Sequence, residues 1–499
     1  MPGTGKLTHQ TGKLISEAQS YLALVRDLAK SSGIYAISSL ASPLIALVLA
    51  PFLTHVLSAS DYGALIVLNT VIVLIAGITQ LGMISAVFRA YNYDYESQQD
   101  RLKVLSTTVI LLLLTSLPVT FVFILTAPWL AGLLLGSPSF SDAVKVAALV
   151  ILIQNLSVPG LARLRAEKRA TFFSVLSILN LLIALGATVI LVGITHMGII
   201  GALLATGIGY AFVVVCTLPL ILIRAGLRTR QDIIHNLVVF GIPLVFNTLS
   251  FWVLQLSDRY LLSRLGSLAE TASYGVAYSL GNALNVVVLA PFVLAWPTAM
   301  FAIAKREDAP QVFRLIFRWF SLVLLLAALV LAYVAMVVLD ILFPPTYHSA
   351  APIIPIIALS IVFYGVYTVF TVGTGIQRKT WYIAIAMTFA ALLNVAINIV
   401  LIPLYGSMGA ALATLIAYAV LTFIMYIVNQ RIYPLPFEIG IFTVAVLVSS
   451  AIFTGGWFLA RSQTIYWAST TYIGSMVFCA GCLFVIEKFA ARREKLREQ

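Results

Sequence analysis

The feature that most constrains this chain is a succession of fourteen apolar runs joined by short polar connections. Lipid offers the backbone no hydrogen-bond partners, so such a run crosses the bilayer as a helix of about 20 residues. Hydrophobic residues make up 61% of the sequence and charged residues 10%, whereas soluble domains carry about 25% charged residues. We therefore predict an all-α polytopic membrane protein with about 14 transmembrane helices, at residues 33–57, 63–88, 104–130, 143–162, 171–194, 198–223, 237–258, 274–301, 319–343, 351–376, 381–402, 407–428, 437–460 and 466–486.

An internal repeat divides the runs into two related sets. The segment Gly201–Ala211, GALLATGIGYA, returns at Gly409–Ala419 with eight identities. Three shorter matches precede it in the same order at nearly the same spacing: Ile194–Gly198 with Ile402–Gly406, Phe140 with Tyr347, and Asp61–Gly63 with Ser273–Gly275. A repeat of this length predicts two lobes of six helices each, at 31–230 and 231–432, related by duplication, with helices 13 and 14 (433–487) added to the second lobe.

Basic residues predict the orientation of the chain. With the amino terminus inside, 26 of the 30 Lys and Arg residues fall on one side, and only Lys145, Arg259, Arg264 and Arg461 on the other. Such residues accumulate on the cytoplasmic side. We predict a multi-pass protein of the cytoplasmic (inner) membrane with both termini in the cytoplasm and a basic tail at 488–499. The net charge of +12 then reflects topology and implies no nucleic-acid partner.

Residues 1–30 carry apolar side chains at helical spacing without the apolar core of a signal peptide. This pattern predicts an amphipathic segment on the cytoplasmic membrane surface. Elsewhere the sequence contains no nucleotide-binding, metalloprotease or nucleophile-elbow motif. Cys479 and Cys482 have metal-like spacing inside an apolar run, where packing is the better interpretation. We expect a transporter, not an enzyme, with no cofactor and with H⁺ or Na⁺ as an open choice of coupling ion.

Polar residues inside the runs are the candidates for substrate binding, because a cavity between lobes must be lined by them. Two alternatives stay open: the amides could join helices by hydrogen bonds, and Asp258 and Arg259 could form a local ion pair. Arginines at the cytoplasmic ends of runs could also snorkel to the surface. The candidates are Asn155, Asn247, Asp258, Arg259, Asn282 and Asn285, with Arg89 and Arg318 at the cytoplasmic ends of runs 2 and 9.

The charge balance of these candidates points to an anion. The first six runs contain no Asp or Glu, although a transporter of cations would need a buried carboxylate. Guanidinium groups pair with phosphate through two parallel hydrogen bonds. We therefore expect an anionic, phosphate-bearing substrate.

Several short motifs resemble the Wzx-type polysaccharide flippases of the multidrug/oligosaccharidyl-lipid/polysaccharide (MOP) exporter superfamily. They are Pro51–His55, Leu57–Gly63, Leu81–Gly82, Arg89–Tyr91, Ser257–Tyr260 and Ser273–Gly275. The family usually carries Arg where His55 stands. The resemblance implies the fold shared with lipid II flippases and drug antiporters. It further implies translocation of a polyprenyl-diphosphate-linked oligosaccharide across the lipid bilayer, with other polysaccharide assembly proteins as further partners.

Three other functions are kept as alternatives. A cation-coupled multidrug exporter would share the fold, and its loss would cause drug sensitivity with normal surface glycan. A membrane glycan polymerase or ligase would need a catalytic loop that the short connections do not provide. A non-transporting scaffold for glycan assembly would tolerate changes to the cavity lining.

Overall fold

The computed structural model describes residue 41, residues 45–460 and residues 465–498, and every regular element in these ranges is a helix. The predicted amphipathic segment 1–30 lies outside the described residues. We call residues 45–229 the first half and residues 230–498, which begin at the N-cap residue of α9, the second half. The first half contains α1 (Ile45–Val56), α2 (Ala59–Thr79), α3 (Met83–Arg89), α4 (Gln98–Leu125), α5 (Ala127–Leu135), α6 (Ser141–Ala166), α7 (Ala170–Thr188) and α8 (Gly198–Ala225).

The second half contains nine helices within the described ranges. They are α9 (Gln231–Leu265), α10 (Leu268–Gly281), α11 (Ala290–Ile303), α12 (Ala309–Leu342), α13 (Ile354–Phe370), α14 (Val372–Ile376), α15 (Trp381–Ile432), α16 (Ile439–Ala460) and α17 (Ile465–Glu498). The predicted basic tail does not begin a separate segment, because α17 continues through residue 488 to Glu498.

Ten helices of the described chain are long and apolar enough to cross a membrane. One of them, α15, has 52 residues and bends at Gly406, where φ is 55° and ψ is −133°; the bend separates two of the predicted runs. Shorter apolar helices at Ile45–Val56, Gln231–Val245 and Thr470–Val485 coincide with three further runs. The all-helical multi-pass architecture is confirmed, and the number fourteen stays a prediction.

The predicted run 63–88 is not one continuous helix. Leu81 and Gly82 both have positive φ, 48° and 65°, and they separate α2 from α3. A Cβ atom on Gly82 would lie 2.7 Å from the carbonyl oxygen of Gly241 in α9, so glycine permits both the left-handed backbone and the close approach. The run still lies within a single candidate membrane span, Ala59–Asp94, but apolarity alone does not reveal a break inside it that a distant helix accommodates.

The two copies of the repeat share local geometry. Gly198 and Gly406, which are 208 residues apart, have φ of 58° and 55°. In each copy the glycine three residues later packs on the preceding helix, where a Cβ would approach the carbonyl oxygen of Leu191 or Leu401 to within 3 Å. Short 3₁₀ turns also occur at corresponding places, Pro138–Phe140 and Pro345–Ala350.

The halves meet through α2 and α10, which carry the repeated Tyr-Gly motif. Gly63 of α2 packs against the backbone of Leu268, and Gly275 of α10 packs against the side chain of Ile66. Each motif glycine therefore faces the other half. These two contacts lie in the first turns of α2 and in the first half of α10. They set the distance at which α10 packs against α2.

Candidate functional site

Asp258 lies well inside α9, which continues for seven residues beyond it to Leu265, about 10 Å at 1.5 Å per residue. Its carboxyl is only 1% exposed. Oδ2 accepts a short hydrogen bond from the Tyr274 hydroxyl and lies 3.5 Å from the Thr414 hydroxyl, and Oδ1 accepts from the Arg259 backbone N–H at 2.7 Å.

Arg259 points away from its neighbour. Its guanidinium lies 4.7 Å from the centre of the Tyr278 ring, and the Tyr278 hydroxyl donates to Oε1 of Gln255 at 2.7 Å. No ion pair joins Arg259 to Asp258 or to another described acid, and Nε of Arg259 is buried without a hydrogen-bond partner. The two side chains therefore form no ion pair within the described residues, although the charge of Arg259 acts on the nearby Asp258 carboxyl.

Asn282 and Asn285 follow directly on α10, where the helix changes geometry. Asn282 caps α10, and Asn285 begins a π-helical turn that ends at Leu289. Both side chains are partly exposed, and neither amide makes a hydrogen bond within the described residues. Asn282 and Asn285 therefore keep free hydrogen-bonding capacity, one and two turns beyond Tyr278, whose ring Arg259 contacts.

On the opposite side of the interface, α2 presents Asn69. Ile66 and Gly77 of α2 contact Gly275 and Trp252 of the second half, and Asn69 lies one helical turn from Ile66 on the same face. Its side chain is exposed. Asn247 in α9 was predicted to belong to this lining, but its side chain lies outside the described residues.

Asn155 occupies a closed junction between helices of the first half. It is 0% exposed. Its Nδ2 donates to Thr79 and to Ser116, both at 2.7 Å, and its Oδ1 accepts from Gln80 at 3.0 Å. All its hydrogen-bonding groups are used by α2, α4 and α6, so this geometry supports the alternative of helix joining, and the side chain offers nothing to a ligand here.

Arg89 lines a cavity between the halves on the side predicted to be cytoplasmic. The cavity volume is about 610 Å³. The Arg89 side chain is 53% exposed, lies 3.7 Å from Asp94 and covers the Phe240 ring at 4.7 Å. The guanidinium of Arg165 also lines the cavity. The other lining residues are Ile84, Ser85, Phe88 and Tyr93.

Arg318 does not belong to this space, and the interpretation that it snorkels was wrong. Only 2% of its side chain is exposed. Its Nε and Nη2 donate to the two carboxylate oxygens of Glu438 at 2.5 and 2.6 Å, a bidentate ion pair that ties α12 to the segment preceding α16. No local sequence pattern indicates a partner 120 residues away.

Polar contacts hold the halves together at both ends. On the predicted cytoplasmic side, Arg230 donates to Asp100 at 2.9 Å, while Tyr95 donates to Asp232 at 3.3 Å. On the opposite side Arg264 donates to the carbonyl oxygen of Gly132 at 3.0 Å. We call the Arg230–Asp100 and Tyr95–Asp232 contacts the cytoplasmic latch.

A second buried polar cluster lies where α15 packs against α9. Nδ2 of Asn398 donates to Oδ1 of Asn394 at 3.0 Å, and the Ser257 hydroxyl lies 3.4 Å from the same oxygen. Oδ1 of Asn398 and Nδ2 of Asn394 are buried without partners. The cluster adjoins Asp258. The Asp258 carboxyl and the side-chain oxygens of Asn394, Asn398 and Thr414 are therefore all buried from bulk water.

Comparison with known proteins assigns this chain to a family. Residues 28–301, more than half of the chain, match the family of polysaccharide biosynthesis proteins. The chain belongs to this family. An uncharacterized membrane protein of Methanocaldococcus jannaschii is 27% identical over 201 residues, which are 40% of this chain and 39% of that protein.

Solved structures share the fold of this polysaccharide biosynthesis family member. The lipid II flippase MurJ in an inward closed conformation aligns with a TM-score of 0.69 at 15% identity, covering 92% of this chain and 99% of its own. An inward-facing multidrug resistance transporter of the MATE family and MOP superfamily gives 0.62 at 14% identity, covering 79% and 93%. A MOP superfamily transporter from Pyrococcus furiosus gives 0.58 at 15% identity, covering 81% and 95%.

These comparisons confirm the resemblance to MOP exporters, and the fold is that of flippases and exporters. Within the polysaccharide biosynthesis family member described here, Arg259 contacts the Tyr278 ring of α10, and Arg89 lines a separate cavity on the predicted cytoplasmic side. Asn155 and Arg318 are committed to helix packing. The structure adds Arg165 and Gln255 to the candidate residues. Gln255 lies one helical turn before Arg259 on α9, so its place on the same face could have been predicted from the sequence.

Proposed function

We propose that this protein flips a polyprenyl-diphosphate-linked oligosaccharide from the cytoplasmic to the outer leaflet of the inner membrane by alternating access. The observation that carries the proposal is the unpaired guanidinium of Arg259. A charged side chain within a membrane helix is costly, by up to about 3 kcal/mol at the bilayer centre, and no acid of the described residues forms an ion pair with Arg259. A diphosphate would supply the missing counter-charge through charge-assisted hydrogen bonds.

Amides that are exposed or partly exposed on α2 and at the end of α10 suit the rest of such a substrate. Asn282, Asn285 and Asn69 offer amide donors and acceptors without protein partners, which can replace the water around sugar hydroxyls. Tyr278 offers an aromatic face, although Arg259 covers it here. The polyprenyl chain would stay in the bilayer, because only the diphosphate and the sugars are too polar for hydrocarbon.

The cytoplasmic cavity with Arg89 and Arg165 is the proposed point of entry. Its two guanidinium groups and the aromatic side chains of Phe88, Tyr93 and Phe240 suit a phosphate group attached to a sugar. Opening would break the cytoplasmic latch, since Arg230 and Asp100 belong to different halves. Closing the latch behind the headgroup and releasing the contact between Arg264 and Gly132 would then expose Arg259 to the other side. In this scheme both termini lie in the cytoplasm, and glycan assembly proteins act before and after the flip.

Coupling is proposed for the buried cluster around Asp258, Asn394, Asn398 and Thr414. The carboxyl can accept a proton, and the surrounding oxygens can bind a monovalent cation. Asp258→Asn keeps the hydrogen bond from Tyr274 but removes the exchangeable charge. Transport by this variant is expected to lose its dependence on a proton or sodium gradient while the protein folds normally.

The proposal is tested with purified protein in proteoliposomes. A polyprenyl-diphosphate oligosaccharide carries a reducible fluorophore on its terminal sugar, and an impermeant reductant is added outside. Flipping exposes label from both leaflets, so reduction goes beyond the outer-leaflet fraction that protein-free liposomes show. Reduction limited to that fraction, with uptake of a cationic drug by the same vesicles, would favour the multidrug exporter instead.

A further inference from the structure

We infer that a groove on the outside of the first half, between α6, α7 and α8 at their predicted cytoplasmic ends, is a binding site for an anionic phospholipid. The groove faces away from the second half and has a volume of about 250 Å³. Pockets that enclose a whole ligand measure about 300–1,000 Å³. A groove of this size therefore suits the headgroup end of a lipid whose chains remain in the bilayer.

Three guanidinium groups surround the mouth of the groove, and two of them share one carboxylate. Nε of Arg163 donates to Oε1 of Glu167 at 2.7 Å, and Nε of Arg169 lies 3.1 Å from Oε2. The Tyr91 hydroxyl also donates to Oε1 at 3.0 Å. Arg224, on α8, makes no ion pair or hydrogen bond with a described residue. The four charged groups have a net charge of +2, so the mouth attracts an anion.

The ends of the helices do not cancel this charge. Arg163 and Arg224 lie in the last turns of α6 and α8, where each helix dipole contributes about half a negative charge. The amino terminus of α7 at Ala170 contributes about half a positive charge. The arginines therefore dominate the field at the mouth.

Below the charges, the groove is apolar and open to lipid. Its floor is the contact between α6 and α8, where a Cβ on Gly160 would lie 2.0 Å from the Thr217 hydroxyl oxygen. Its walls include Phe172, which is 68% exposed, and Leu220. A basic mouth above apolar walls matches the order of groups in an anionic phospholipid, and the cytoplasmic leaflet is where such lipids attract basic residues.

Glu167 holds two of the arginines in place by ion pairs. The turn between α6 and α7 places Lys168 at a φ of 57°, which brings Arg169 back toward Glu167. Because Arg163 and Arg169 are held by the same carboxylate, less side-chain freedom is lost when a phosphate binds.

Cys216 provides a probe inside the groove. It lines the groove and is exposed, so after Cys479→Ala and Cys482→Ala it can carry a small fluorophore. The protein is reconstituted in phosphatidylcholine vesicles with increasing brominated phosphatidylglycerol or brominated phosphatidylcholine. Because each basic residue contributes roughly fivefold in affinity for anionic lipid, quenching should give phosphatidylglycerol a preference of at least roughly fivefold. Arg169→Ala with Arg224→Ala should abolish the preference, and the control pair Arg228→Ala with Arg306→Ala, outside the groove, should retain it.

A second measurement uses unlabelled protein, so that the fluorophore cannot block the site. Phosphatidylglycerol added in detergent should raise the melting temperature of the wild type and of the control pair more than phosphatidylcholine does, and should not do so for the groove pair. Equal quenching by the two lipids in the wild type, or a preference that survives in the groove pair, would overturn the inference. Raised stability with soluble glycerol phosphate alone would also overturn it, because the apolar walls would then play no part.

Discussion

Gly63 of α2 packs directly against the backbone of Leu268 of α10: a Cβ atom on Gly63 would lie 1.9 Å from the Leu268 carbonyl oxygen. Gly63→Ala should therefore separate α2 from α10 and destabilise the protein by about 1–3 kcal/mol, as overpacking does elsewhere. Thermal unfolding in detergent measures the change. Gly186→Ala is the matched control, because no atom lies within 4 Å of its added Cβ. Equal melting temperatures for the two variants would contradict the contact.

The buried pair Arg318–Glu438 should be sensitive to the loss of one partner. Arg318→Met leaves the Glu438 carboxylate without its bidentate partner, and breaking such a pair costs about 3–5 kcal/mol. Adding Glu438→Gln should recover part of that loss. The control is Arg306→Met, which breaks a similar but exposed pair with Asp308 and should change the melting temperature little. If Arg318→Met and Arg306→Met melt alike, the clamp between α12 and α16 does not stabilise the fold.

The cytoplasmic latch should govern opening on that side. Arg230→Ala removes the ion pair with Asp100, and we expect the open population to rise. Spin labels on Glu96→Cys and His235→Cys, in a background without the native cysteines, report the distance between halves. The distribution should gain a longer component in Arg230→Ala and stay unchanged in Arg228→Ala. An unchanged distribution in both variants would remove the latch from the mechanism.

Glu167 predicts a specific pH dependence of stability. Burial raises the pKa of its carboxyl, but hydrogen bonds from Arg163 and Tyr91 and the charges of Arg163 and Arg169 outweigh burial, so the pKa lies below its ordinary value. A group with a lowered folded pKa stabilises the protein above its unfolded pKa, about 4.3 for Glu, and loses this effect as the pH falls further.

The measurement is the melting temperature of the wild type and of Glu167→Gln between pH 7 and pH 3. Their difference should be constant from pH 7 to about pH 5 and shrink below about 4.3. A difference that already disappears near pH 6 would mean that the pKa is raised, contrary to the observed contacts.

The sequence predicted what depends on local composition and regular spacing. Apolar runs identified the helices, and the repeat identified glycines at Gly198 and Gly406 that share the same backbone geometry. That Asn282 and Asn285 contact a substrate stays a prediction, and their change from α- to π-helical geometry could not be counted from the spacing.

The parts that the sequence could not predict depend on distant partners. Asp258 and Arg259 are neighbours in the chain, yet Asp258 turns toward Tyr274 and Thr414 while Arg259 covers Tyr278. The position of Arg318 at the end of an apolar run is typical of a surface arginine, but in the structure it is buried beside Glu438. The break at Leu81 and Gly82 likewise needs Gly241 on α9, which no local pattern reveals.

The central claim is that the unpaired charge of Arg259 holds the diphosphate during transport, and one comparison tests it most directly. Initial flipping rates of the sugar-labelled lipid are measured in proteoliposomes for the wild type, Arg259→Ala and the surface control Arg306→Ala. A hydrogen bond to a charged group contributes about 1.5–3 kcal/mol, and 1.4 kcal/mol is about tenfold. Arg259→Ala should therefore flip at least about tenfold more slowly, with an unchanged melting temperature, while Arg306→Ala matches the wild type. Wild-type flipping by a folded Arg259→Ala protein would contradict the account.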